Sequence, residues 1–294
     1  MTPSRVGPSP WKKLLVCTDG SPDSKAAVNK TLALARLCGS TVCVLQVLPT
    51  IPECEGAAPD LTVRLAEEVR RQMEAITAQA AAGRVTLKTR LCRGVSPFAA
   101  ILEEIERLQP DLVVMGRYGK TGRKRLMPGS VTARVVGLSP VTVLVVPLGA
   151  PFGFSRILIA SDGSPCGEVA FREALTIARQ MRGHLLAISV LPRKKAAGPA
   201  EAILEDLHVT AGEQGVNLES RVLVGEPDAA IVEAAQKSRT ELIVMGSQRR
   251  TGFKRLLLGS VAERVIGRAA CPVLVVKKAA ALAQIKKMPE SSPG

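Results

Sequence analysis

The chain repeats itself, and the repeat limits the folds open to it. Val16-Cys17-Thr18-Asp19-Gly20-Ser21-Pro22 returns as Ile159-Ala160-Ser161-Asp162-Gly163-Ser164-Pro165. Gln46-Val47-Leu48-Pro49 returns as Ser189-Val190-Leu191-Pro192. Gly94 with Pro97 and Ile101 returns as Gly225 with Pro227 and Ile231, and the segment 140–146 as 272–276. A period this long is not a solenoid unit. At about 150 residues per domain, a chain of 294 residues holds two copies of one domain, placed at 11–148 and 155–278. Residues 147–154 form a short Pro/Gly linker, which keeps the halves in contact. The first copy carries the longer insert, 49–59, and residues 279–294 read as a frayed, flexible tail.

Each half alternates short apolar runs with longer amphipathic ones. Strands are predicted at 12–18, 41–48, 85–92, 111–116 and 141–147, then at 156–161, 184–191, 218–224, 241–246 and 272–276. Nearly continuous apolar runs of this kind suit strands buried on both faces. Helices are predicted at 23–38, 60–82, 97–108 and 129–137, then at 165–182, 199–214, 227–238 and 259–268. Val28, Leu32 and Ala35 share one helical face, as do Ala170, Ala174, Ile177 and Met181. This alternation predicts an α/β chain of two tandem open-sheet domains, each a parallel sheet with right-handed crossovers and helices on both faces. Ligands of such sheets bind beyond the carboxyl ends of the strands, where strand order reverses. Asp19 and Asp162 each end a first strand, and a glycine loop follows each fourth strand. If the first and fourth strands are neighbours, each Asp faces its loop across one cleft.

The first loop fits Gly-x-x-Gly-x9-Gly-Ser through Gly116, Gly119, Gly129 and Ser130. The second keeps Gly246, Gly259 and Ser260 but has Arg249 at the second glycine. A strand that empties into a glycine-punctuated basic loop and then a helix start is an anion site in outline. The first amides of a helix are unpaired, and its dipole favours negative charge there. Glycine permits positive φ and close approach of a ligand to the backbone. Arg117, Lys120, Arg123, Lys124 and Arg125 surround the first loop with no acid among them. A solvated basic loop is the alternative, and for Asp19 the alternative is a turn or cap before Ser21-Pro22. Gly119-Lys120-Thr121 is not a P-loop end, because Val114 stands where that motif needs glycine. The dinucleotide motif Gly-x-Gly-x-x-Gly is missing after the first strand. Asp19 occupies the place of a phosphate-binding glycine in pyrophosphatase-type loops, and no His-x-Gly-His pair supports adenylyl transfer.

An apolar content of 46% supplies two cores. The net charge of +14 allows acidic partners: nucleotides, nucleic acid or an anionic surface. Aromatics at only 2% argue against a single-strand nucleic-acid platform. Seven cysteines without a Cys-x-x-Cys pair indicate core thiols in a reducing compartment. His184 and His208 lie apart and form no metal set. No apolar run approaches the ~18 residues of a membrane span. The expected location is therefore the cytoplasm, without membrane contact.

Taken together, the strand-one Asp, the Val-Leu-Pro after strand two, the glycine loop and the final Pro-Val strand resemble the ATP-binding branch of the universal stress protein family. The resemblance covers both halves. It implies strand order 3-2-1-4-5 and ATP or AMP, with or without Mg2+, held between strands one and four. Carried over, Thr18, Asp19 and Val47 would meet adenine and ribose. Met115, Gly116 and Gly119 would line the sugar and first phosphates, and Gly129, Ser130 and Val131 the phosphate tail. Ser161, Asp162, Val190, Met245, Gly246, Gly259, Ser260 and Val261 match in the second half. Arg249 either forbids the loop shape or adds a phosphate contact, so the first site is expected to be the surer nucleotide site. The last strands, through 141–146 and 273–276, are expected to pair the two domains within the chain, with a homodimer as the other use of that open edge. Three functions follow: an adenine-nucleotide-binding stress or signalling protein with little or no catalysis, a nucleotide-free module for an acidic partner, and a slow ATPase.

Overall fold

A computed structural model of the chain describes residues 11–49, 59–120, 127–191, 198–247 and 258–277. The insert after residue 49, the tail, the cations Arg123, Lys124 and Arg125, and Arg249 lie outside them.

The first half runs β1 (Lys13–Thr18), α1 (Pro22–Cys38), β2 (Thr41–Pro49), α2 (Pro59–Ala82), β3 (Leu87–Gly94), α3 (Pro97–Leu108), β4 (Leu112–Gly116), α4 (Ser130–Leu138) and β5 (Val143–Val146). The second half repeats it as β6 (Arg156–Ala160), α5 (Pro165–Met181), β7 (His184–Leu191), α6 (Gly198–Glu213), β8 (Leu218–Val224), α7 (Pro227–Lys237), β9 (Leu242–Gly246), α8 (Ser260–Arg268) and β10 (Val273–Val276). The strands form one sheet in the order β3-β2-β1-β4-β5-β10-β9-β6-β7-β8, so each half has the order 3-2-1-4-5. All pairs within a half are parallel. Between the halves, β5 and β10 run antiparallel, with Leu144 opposite its own counterpart Leu274.

Burial explains which strands sit where. β4, β5 and β10 are buried at every residue, as their unbroken Val/Leu runs require. β3 and β8 are half-buried or exposed at nearly every residue and form the sheet's outer edges. One apolar cluster joins Leu14, Val16, Leu32 and Val44 with Ala170 and Leu207, on the face covered by α1, α2, α5 and α6. The other joins Leu15, Ile105, Val135 and Ile231 with Val265, under α3, α4, α7 and α8.

Ser21 accepts from the Ser24 amide and Ser164 from the Gly167 amide. Each thus caps a helix that opens on proline, a position where the missing N–H is not needed. β3 begins at Leu87, two residues later than its apolar pattern suggests. The α2 end folds back first: Arg84 takes φ 53 and the Val85 amide returns to Ala80 O. α4 begins at Ser130, with Gly129 as its N-cap.

Candidate functional site

β1 and β4 are neighbours, paired from Leu14–Leu112 to Val16–Val114. Asp19 therefore meets the loop after β4. Its Oδ1 accepts from the Ser21 amide at 3.0 Å, and its Oδ2 accepts from the Lys120 amide at 2.7 Å. The first bond is an Asx turn of the sort expected before Ser-Pro, and the second ties the glycine loop to β1. Burial alone would raise the Asp19 carboxyl. The hydrogen bonds from Ser21, Lys120 and Ser24 outweigh it and hold the group below its ordinary range.

The loop closes on α4 through two further bonds. The Gly129 amide donates to Arg117 O at 2.9 Å, and Thr132 Oγ1 donates to Gly116 O at 3.0 Å. The three glycines of the motif serve different ends. None of them takes positive φ. That conformation falls instead to Gly20 and Gly163, after the strand-one carboxylates, at φ 80 and 70. A Cβ on Gly116 would lie 2.6 Å from Asp23 C and 2.7 Å from Ser24 N, so this glycine admits the α1 N-terminus against β4. A Cβ on Gly119 would lie 2.6 Å from Asp19 Oδ2. A Cβ on Gly129 would stand at ordinary contact distance, 3.4 Å from Arg117 O and 3.7 Å from Gly119 N, covering the inner surface of the loop. Val47 and Val131 pack, partly buried, on the cluster that contains Met115. Thr18 lies elsewhere. Its Oγ1 is 3.1 Å from Ser24 Oγ, and it lines a groove of about 400 Å3 between α1 and α2, on the opposite face from α4. That groove holds neither the glycine loop nor a phosphate-facing helix start, so its size does not make it the candidate site.

In the second half the predicted residues share one hollow. Ser161, Asp162, Val190, Met245, Gly246, Gly259, Ser260 and Val261 all line a cavity of about 190 Å3. Asp162 repeats the turn, accepting from the Ser164 amide at 3.0 Å. Gly246 repeats the close approach, its Cβ position lying 2.5 Å from Cys166 O. Gly259 caps α8 without a side-chain bond, as Gly129 caps α4, so among the described residues no side chain of the cap occupies the first amides of either helix. The cavity also takes in Cys166, Ile188, Pro227 and Ile231, which the sequence reading had not placed there. Ile188 could have been found from strand periodicity, being two residues before Val190. Ile231 could have been found from its match to Ile101. Cys166 has Asp23 as its counterpart, so the repeat gave no sign of it.

The described cysteines are all free. Burial pushes Cys17 up to about 12 and Cys271 up to about 11, so both are unreactive core thiols. Among the described residues no His, Cys, Asp or Glu group is placed to hold a metal. No described helix is long and apolar enough to cross a membrane.

The universal stress protein family model matches residues 10–147 and again 153–277. A universal stress protein of Methanocaldococcus jannaschii is 40% identical over 141 residues, covering 42% of this chain and 83% of that protein. One from Mycolicibacterium smegmatis is 27% identical over 288 residues, covering 90% of this chain and 96% of its own length. The crystal structure of a universal stress protein from Archaeoglobus fulgidus superposes with a TM-score of 0.74 at 22% identity, over 90% of this chain and 98% of that one. That last likeness is one of fold.

Proposed function

The chain belongs to the universal stress protein family, and we propose that it binds an adenine nucleotide, ATP or AMP, between the first and fourth strands of each half. The supporting observation is the second-half cavity, where eight residues from three separate sequence signals meet beside an uncapped helix start. A pocket of about 190 Å3 is smaller than the roughly 300–1,000 Å3 of small-molecule sites. It suits the base and sugar, with the phosphates lying over the amides of Gly259, Ser260 and Val261. In the first half the corresponding amides are those of Ser130 and Val131, the Gly129 amide being taken by Arg117 O, and the Ser130 hydroxyl adds a donor. Asp19 and Asp162 retain lone pairs for ribose hydroxyls or adenine N–H groups. Any Mg2+ would arrive on the phosphates.

This is a binding role in stress response or signalling rather than catalysis. The Asp19 carboxylate is held ionised by two backbone amides and is not placed as a base for an attacking water. The antiparallel β5–β10 contact supports a built-in pair of such sites within one chain.

Calorimetric titration of ATP and AMP into the whole protein tests the reading. Wild type takes up nucleotide. Gly129→Ala, whose new methyl meets no backbone closer than 3.4 Å, stays folded and loses tenfold or more in affinity at the first site. That loss is about 1.4 kcal/mol. A concentrated wild-type sample that neither carries nor takes up ATP or AMP would remove this function and favour the nucleotide-free module for an acidic partner.

A further inference from the structure

We propose that Arg117 and Lys277 are positioning residues that link the two sites: each phosphate-facing helix is set at its far end by a cation from the other half. The proposal rests on the nucleotide reading for what the sites hold, but not for the contacts themselves.

Arg117 follows Gly116 at the end of β4. Its guanidinium crosses to the second half and donates to Gly267 O, at 3.1 Å, and to Ala269 O. Those carbonyls close the C-terminal end of α8, whose first residue, Ser260, lines the second-half cavity. Lys277 follows β10. Its ammonium donates to Val136 O in the last turns of α4, whose first residue is Ser130. Lys277 is buried, and Arg117 is half-buried. Cations are favourable at helix C-termini, where unpaired carbonyls carry the negative end of the dipole.

Arg117 also reaches back into the loop beside it, and in the second half the residue before Lys277 does so. Arg117 O holds the Gly129 amide, the N-cap of α4, and the Arg117 amide donates to Val146 O. Val276, just before Lys277, accepts from the amide of Ser247, just after Gly246. The second site is therefore joined to the first through α8, Arg117 and the α4 cap. The first is joined to the second through α4, Lys277 with the preceding Val276, and Ser247. Each helix spans only about 13 Å, at 1.5 Å per residue, and a rod this short moves as one piece. An anion that settles its N-terminus also settles the carbonyls at its other end.

Satisfying buried carbonyls at an interface is the simpler account, and the repeat weighs against it as the whole explanation. The counterpart of Arg117 is Ser247, and the counterpart of Lys277 is Pro147. The two cations thus stand at different positions of the repeat, yet both reach the closing turn of the equivalent helix.

Hydrogen exchange at residue resolution in the full chain, without nucleotide, tests the positioning role. The readouts lie at the ends remote from the cations: the Glu263 amide, bonded to Gly259 O, and the Ala133 amide, bonded to Gly129 O. Arg117→Met is expected to speed exchange at Glu263 about tenfold, and Lys277→Met to do the same at Ala133. Arg117→Lys is expected to recover part of the protection. If exchange rises only at Ala269 and Ser139, in the last turns, the cations merely satisfy local carbonyls and the proposal fails. Should Arg117→Met unfold, Arg117→Gln, which keeps a donor without charge, is read at the same amides by the same criterion. A second arm uses ATP. Blocking the first site with Gly129→Ala is expected to change affinity at the second at least threefold, and to change it no further than twofold in the Lys277→Met background. An equal change in both backgrounds overturns the linkage. Wild type that binds no ATP would defeat the nucleotide reading, while the exchange arm would still decide the role of the two cations.

Discussion

Glu173, on α5, is a carboxylate only 6% exposed whose Oε1 accepts from Trp11 Nε1 at 3.2 Å. Burial raises its pKa from 4.5 to about 7, against a smaller lowering by the Trp11 bond. The consequence for stability has a definite sign. Below pH 4.5 the side chain is protonated both folded and unfolded, and it exacts no penalty. As pH rises from there to about 7, the unfolded chain releases the proton while the folded chain keeps it, so stability falls. Above about 7 the loss is complete. At about 1.4 kcal/mol per pH unit over that interval, it amounts to about 3 kcal/mol. Glu173→Gln keeps an oxygen for Trp11 and removes the ionisation. Its amide also brings in a new donor that must find a partner, so the absolute change in stability is less informative than its pH dependence. Trp11 is the only tryptophan in the chain, and it touches the group in question. Urea unfolding followed by its fluorescence should show the variant gaining about 3 kcal/mol on wild type between pH 4.5 and 8. A difference that stays flat across that range would refute the buried, proton-holding carboxyl.

Two more outcomes follow from the site. Gly116→Ala drives a Cβ to within 2.6 Å of the α1 backbone and should lower thermal stability by a few kcal/mol, about the cost of overpacking. An unchanged melting temperature would show that β4 and α1 do not meet so closely. Asp19, with its pKa held below the ordinary value, lends stability above the unfolded pKa and loses it as pH falls through the folded one. Asp19→Asn should therefore destabilise at pH 7 and converge on wild type in acid, as denaturant midpoints at the two pH values would show.

The fold was legible wherever a strand is buried on both sides. Leu112–Gly116 and Val143–Val146 carry unbroken apolar runs because both faces are covered. β3 was misplaced by two residues because its edge position leaves a mixed pattern, and because the turn at Arg84 first returns the Val85 amide to Ala80 O. At the candidate site, the motif marked residues but not the work each does. Gly116 and Gly129 look alike in sequence. One makes room for a helix packed against it from an earlier part of the chain, and the other leaves the loop's inner surface open. Of the two readings of Asp19, a nucleotide contact or a turn before Ser21-Pro22, the turn is seen through one oxygen, while the other oxygen anchors the loop, a role the sequence did not suggest. Arg117 and Lys277 stood out only as basic residues, because their partners lie 150 and 141 positions away across the junction.

That junction also bears on why two copies were kept in one chain. Setting Ser21 on Ser164 aligns Trp11 with Phe154 and Lys30 with Glu173. These residues form a single file across the middle: Glu173 takes the Trp11 N–H, Trp11 packs on Phe154 at 6.5 Å, Phe154 on Phe152 at 5.4 Å, and Lys30 lies 5.5 Å over the Phe152 ring. An isologous homodimer must present the same residue on both sides. Two first halves would turn the indole N–H toward a lysine. Two second halves would leave a buried carboxyl facing phenylalanine, with no donor at all, and would offer Ser247 where Arg117 is needed for the α8 carbonyls. Unlike partners at equivalent positions thus favour the first half pairing with the second and oppose either half pairing with itself, the repulsive part of specificity as well as the attractive one. Fusion places the right partner permanently at hand, which frees the two sites to diverge, as Asp23 against Cys166 and Gly119 against Arg249 already have.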